Sequence, residues 1–107
     1  MEVNQYQIIL VNLNPTLGSE MKKTRPCVII SPDEMNHHLA TVIVAPMTTK
    51  GRPYPTRISL TFVEKKGQIV LDQIRTLDHT RLVRKLGKVP KSVQNKILAT
   101  LQEMFSE

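Results

Sequence analysis

Every apolar run in this chain is strand-sized until residue 90, and turn formers follow each one closely. Ile8-Ile9-Leu10-Val11 is typical. Runs of four to eight β-branched and aliphatic residues between Gly, Pro, Asn and Ser read as buried strands. Tyr6–Asn12, Cys27–Ile30, Ala40–Ala45 and Gln68–Leu71 fit that description, and Arg57–Phe62 alternates with period two as a half-exposed strand does. Ile74–Leu77 and Leu82–Leu86 add two short candidates. Seven prolines punctuate the elements without marking a linker, so residues 1–107 read as one domain. Pro46–Pro55 reads as a polar loop and Glu64–Gly67 as a tight turn. Ser31 before Pro32-Asp33-Glu34 predicts an N-cap with proline at N1 and one helical turn.

The last segment changes period. Pro90 is placed to occupy N1 of a helix, and Val93, Ile97, Leu98, Leu101, Met104 and Phe105 then form one apolar face. Short strands followed by one helix predict a mainly β, α+β fold. The expected form is a small, strongly bent antiparallel sheet or half-barrel closed by the C-terminal helix.

Fifteen Lys and Arg against nine Asp and Glu give a net charge of +6. A basic domain of this size suits an anionic partner such as nucleic acid, while +6 also serves plain solubility. The cations cluster in two blocks. Lys50, Arg52 and Arg57 fall in an acid-free stretch between Glu34 and Glu64. Arg81, Arg84, Lys85, Lys88 and Lys91 fall in another between Asp78 and Glu103. No apolar run approaches the ~18 residues of a membrane span. No basic segment followed by an apolar one opens the chain, so no signal peptide is expected. The lone Cys27 excludes an internal disulfide or a cysteine-rich zinc site, and the expected compartment is a reducing cytoplasm. Cys27 lies mid-strand and reads as a buried hydrophobe. Adjacent His37-His38 cannot share a helix face for a metal, and no nucleophile elbow, Walker loop or dinucleotide fingerprint is present. No metal or cofactor is expected.

Three constellations carry polar groups to strand ends. Asn14–Glu20 is turn chemistry running into Lys22-Lys23-Thr24-Arg25-Pro26. Pro26 biases Arg25 toward an extended backbone at a strand mouth, where its planar guanidinium is either a bidentate grip on phosphate or, as a lone arginine more often is, a solvated surface group. Thr48-Thr49-Lys50 follows a buried strand, and its hydroxyls are either phosphate donors or ordinary turn chemistry. In Asp72-Gln73-Ile74-Arg75, Asp72 and Arg75 read as an ion pair bracing the sheet or as ligand-facing groups, with the brace preferred for Asp72. Tyr54 is the exposed stacking candidate, whereas Tyr6 and Phe105 read as core.

Taken in order, N-P-T-x-G-S-E at 14–20, K-T-R-P at 23–26, V-I-I-S at 28–31, V-A-P-M-T at 44–48 and D-Q-I-R-T-L-D at 72–78 resemble the MazF/PemK family of toxin endoribonucleases. R-L at 81–82 and the terminal helix extend the likeness over nearly the whole chain. The resemblance implies a curved antiparallel barrel related to SH3-like barrels, working as a homodimer. It implies metal-independent, sequence-selective cleavage of single-stranded RNA to 2′,3′-cyclic phosphate and 5′-hydroxyl ends. It also implies a cognate antitoxin whose disordered acidic tail covers the RNA groove.

Arg25 matches the family's catalytic arginine, Thr48 its assisting hydroxyl and Glu20 an acidic position lining the site. Asp72, Gln73 and Arg75 match its D-Q-x-R segment. Gln5-Tyr6 stands where many members carry Gly-Asp. Val70 and Ser19 replace an arginine and a histidine of the plasmid-borne branch, so that branch's acid–base scheme does not transfer. The expected catalytic set is Arg25, Thr48 and Glu20. The expected RNA-binding set is Lys22, Lys23, Thr49, Lys50, Arg52, Tyr54, Arg57, Gln73 and Arg75. Arginine is a poor base at neutral pH. Glu20, kept ionised but weakly basic by nearby cations, is the preferred base, and geometry with electrostatics alone is the other option. The rival class is a non-catalytic basic barrel that binds RNA or an antitoxin.

Overall fold

The computed structural model describes residues 1–13 and 24–107. The Asn14–Ser19 turn, Glu20, Lys22 and Lys23 lie outside the described residues. Seven strands are present among the described residues: β1 Gln7–Asn12, β2 Thr24–Ile29, β3 Thr41–Thr48, β4 Arg57–Phe62, β5 Lys65–Val70, β6 Arg75–Asp78 and β7 Leu82–Lys88. Helix α1 spans Asp33–His38 and α2 spans Lys91–Met104. Single 3-10 turns at Leu71–Gln73 and His79–Arg81 link β5 to β6 and β6 to β7. The strands join in the order β4-β5-β3-β2-β1-β7, with β6 also on β3 and all pairs antiparallel. This is the curved half-barrel with a terminal helix that the alternation of short runs predicts.

The central strands bury both faces, which is why they read as continuous apolar runs. Ile8, Val28, Ala45 and Met47 point into one core with Ile58, Leu60 and Ile69 of the β4–β5 hairpin and Ile97 of α2. Ile9, Val11, Cys27, Ile29, Val42 and Val44 point into a second core with Val3, Leu77 and Leu82. In α2 the residues Val93, Ile97, Leu101 and Met104 pack on the first core, whereas Leu98, expected on that face, points away from it and is 49% exposed.

Local details depart from the sequence reading. Phe105 lies past the helix end, with ψ near 11°, and is 72% exposed rather than core. Both helices start one residue later than the proline rule suggests, with Pro32 and Pro90 as extended N-caps. The buried Ser31 hydroxyl bonds Asn36 Oδ1 and accepts from the Ile43 N–H, so it ties α1 to β3 instead of capping the helix. The tight turn is Val63-Glu64, both left-handed at φ 50° and 62°, and Gly67 lies inside β5.

β3 runs on through Pro46, where a loop was expected. Ile30 N–H donates to Ile43 O, so odd-numbered residues of β3 face β2. Pro46 therefore turns its donorless nitrogen the other way. There the neighbour of β3 changes from β6, ending at Val44, to β5, beginning at Met47. A proline is tolerated in a central strand because no ladder bond is required of it at that gap.

Candidate functional site

The same parity places Pro26 with its nitrogen toward β3. It cannot donate to Met47, and the β2–β3 pairing ends at Cys27 opposite Pro46. Extending the register by two residues sets Arg25 across from Thr48. Both residues line a cleft of about 560 Å³. Arg25 is the second residue of β2, held on its other edge by pairing with Val11. On the far side Gly67 admits β5 to Thr48, since a Cβ there would stand 2.8 Å from the Thr48 carbonyl oxygen.

Arg25, Lys50 and Lys65 supply three cations to the cleft, and Thr24, Thr48 and Thr49 supply hydroxyls. Pro26, Met47, Leu60, Phe62 and Leu86 form an apolar wall. The Thr48 hydroxyl donates to Lys50 O at 2.8 Å and accepts from Lys50 N–H at 3.1 Å. It is thus turn chemistry and a cleft hydroxyl at once. A guanidinium fork, an ammonium and a hydroxyl beside an apolar wall suit a phosphodiester with an adjoining base. No carboxylate or histidine is among the described lining residues.

Arg52, Tyr54, Arg57, Gln73 and Arg75, the other expected residues among those described, lie off this cleft. Asp72 pairs with Arg57, not with Arg75. Arg57 Nε stands 3.3 Å from Asp72 Oδ1, and Thr56 Oγ1 donates to the same oxygen at 2.9 Å. Desolvation raises the Asp72 pKa, but the bonds from Arg57 and Thr56 outweigh it and hold the carboxyl below its ordinary value. The Arg57 guanidinium also sits 5.0 Å from the Tyr54 ring centroid. Arg57 and one face of Tyr54 are therefore occupied in bracing the loop, whereas the sequence suggested a phosphate contact and a stacking platform. Arg52, Gln73 and Arg75 are exposed elsewhere, Gln73 on the 3-10 turn and Arg75 opposite Val44.

Lys65, Leu60, Phe62 and Leu86 were not legible as site residues. Lys65 sits in a segment that looks like a solvated turn, and only the β4–β5 pairing brings it round. Burial pushes the Cys27 thiol up to about 12, against weaker opposing pulls from Arg25 and Arg75, which fits a buried hydrophobe. His37 Nε2 contacts Val3 O and Asn4 Oδ1, and His38 Nδ1 contacts Glu34 O. Among the described residues, no three His, Cys, Asp or Glu side chains gather as a metal site. No described helix is long and apolar enough to cross a membrane.

Residues 4–105 match the family profile described as PemK-like, MazF-like toxin of type II toxin–antitoxin system. Endoribonuclease PemK of Escherichia coli is 32% identical over 111 residues, covering 98% of this chain and 84% of its own. Endoribonuclease MazF of Staphylococcus saprophyticus is 39% identical over 100 residues, covering 84% of this chain and 83% of its own. Among solved structures, an endoribonuclease in complex with its cognate antitoxin from a mycobacterial species superposes with a TM-score of 0.80. Its identity is 26%, covering 94% of this chain and 92% of that one.

Proposed function

Because the chain belongs to the PemK-like, MazF-like toxins of type II toxin–antitoxin systems, we propose that it is a single-domain endoribonuclease that cuts single-stranded RNA at selected sequences. The cut proceeds by attack of the ribose 2′-OH on the adjacent phosphorus, without a metal ion. It leaves a 2′,3′-cyclic phosphate and a 5′-hydroxyl. The observation that carries this reading is that Arg25, Thr48 and Lys50 line one cleft beside an apolar wall.

Arg25 grips the non-bridging oxygens and offsets the charge that builds on the phosphorane. Thr48 exchanges its bond to Lys50 O for one to a phosphate oxygen, at little cost because one acceptor replaces another. Thr49 assists as a second hydroxyl, and Lys50 and Lys65 hold flanking phosphates. Glu20 is the preferred base for the 2′ proton. The apolar wall receives a splayed base, as single-stranded recognition requires. The partners that fit are a second copy of the chain and a cognate antitoxin whose acidic tail would lie on the same cationic rim.

The test is incubation of the protein with long single-stranded RNA in excess EDTA, mapping new 5′ ends, with Arg25→Ala in parallel. Cuts at a recurring short sequence, absent in Arg25→Ala, are expected. RNA that is bound but left intact by the unmodified protein would replace this reading with that of a binding module.

A further inference from the structure

Gln68 lies on β5 at the rung shared with Thr48 on β3 and Ser59 on β4. It does not line the cleft. Its Nε2 donates to Arg52 O at 3.2 Å, across sixteen residues of sequence. Its Oε1 is enclosed and accepts no hydrogen bond among the described residues. A leucine or methionine would fill the same space without stranding a polar atom, so packing alone does not account for an amide here. Gly51 lies directly on this amide, where a Cβ would collide with Oε1. The backbone of Lys50, one of the three cleft cations, is therefore held from both sides. Thr48 Oγ1 bonds its backbone N–H and carbonyl, and Gln68 bonds the carbonyl of Arg52 two residues on, with Gly51 packed against the amide.

We propose that Gln68 is a positioning residue that presents Lys50 to a substrate phosphate. This inference rests on the RNA-cleaving reading above. When Thr48 turns its hydroxyl hydrogen to the scissile phosphate it gives up the bond to Lys50 O and keeps only the one accepted from Lys50 N–H, and the Gln68–Arg52 bond is then the second tether that keeps the loop and its cation in place.

The experiment measures binding of a mixed-sequence single-stranded RNA with 2′-O-methyl riboses, which cannot be cleaved, across a salt series. Each phosphate contact contributes about 0.7 to the slope of log K against log salt for a single strand. Gln68→Leu and Lys50→Ala are each expected to lower the slope by about that amount. The double variant is expected to match Lys50→Ala alone, and thermal melting is recorded for each. If Gln68→Leu does not fold, Gly51→Ala, which displaces the amide from the loop side, is expected to give the same loss. A wild-type slope in Gln68→Leu, or additive losses in the double variant, would overturn the inference while leaving the RNA reading intact. Absence of salt-dependent RNA binding by the unmodified protein would overturn both.

Discussion

Gly67→Ala tests whether the approach of β5 to Thr48 sets the site. The new Cβ would stand 2.8 Å from the Thr48 carbonyl oxygen and 3.6 Å from its carbon, against 3.4 Å or more in an ordinary contact. The backbones must separate by about 0.6 Å, because a carbonyl in a strand cannot rotate aside as a side chain can. Only two rungs, Met47–Ile69 and Thr48–Gln68, hold β3 to β5, so the shift lands at Thr48. Overpacking of this kind costs about 1–3 kcal/mol. A displacement of 1 Å at a reacting group costs on the order of 100-fold in rate, so about 0.6 Å corresponds to roughly tenfold. Urea unfolding should show a lower midpoint with an unchanged slope, and RNA cleavage should slow about tenfold. Gly87→Ala is the control. Its Cβ meets the Phe62 ring edge at 3.1 Å, a side chain free to adjust, and it should cost less on both measures. Gly67→Ala with wild-type midpoint and rate would refute the reasoning.

Two further outcomes follow from titrating groups. The Cys27 thiol is raised to about 12 in the fold, so its contribution to stability is complete below the ordinary thiol value of 9.0 and is lost as pH climbs toward 12. Native protein at pH 8 should resist thiol reagents that label it fully in denaturant, and Cys27→Ala should flatten the alkaline loss of stability in urea titrations. Asp72 is depressed, so its contribution is present above the ordinary carboxylate value of 3.8 and disappears as pH falls through the lower folded value. The pair is partly exposed, so Asp72→Asn should cost only about 0.5 kcal/mol at pH 7, a difference that fades as pH falls through the lowered folded value in the same unfolding assay.

Much of the fold is legible because each strand carries its own signal. Ile8–Val11, Cys27–Ile29 and Val42–Ala45 are apolar on successive residues since both sheet faces are covered. The α2 face is legible from its spacing except at Leu98, which is exposed, and at Phe105, where helical spacing persists after the helix has ended. What the sequence conceals are relations between distant segments. That Pro46 continues a strand depends on which neighbour faces it. That Asp72 takes Arg57 over Arg75, three residues away, depends on the β4–β5 hairpin folding back. Arg25 and Thr48 were legible from motif order, and Lys65 and Gln68 were not, because nothing local marks a lysine at a cleft rim or a glutamine beneath a loop.

Pro26 and Pro46 together act as a parity check on assembly of the barrel. In the native register each withholds a hydrogen where none is needed or where a gap is wanted. A one-residue slip of β3 against β2 would turn Pro46 toward β2 in a buried ladder, leaving an acceptor unmet at a cost of about 1–3 kcal/mol. It would also send the whole apolar set of β3 to the wrong face. A two-residue slip restores parity but carries Thr48 about two rungs, some 7 Å, away from Arg25. The distance between the two groups of the site is thus quantised: the chain either assembles with them opposed or pays heavily at once, with no graded series of looser sites between.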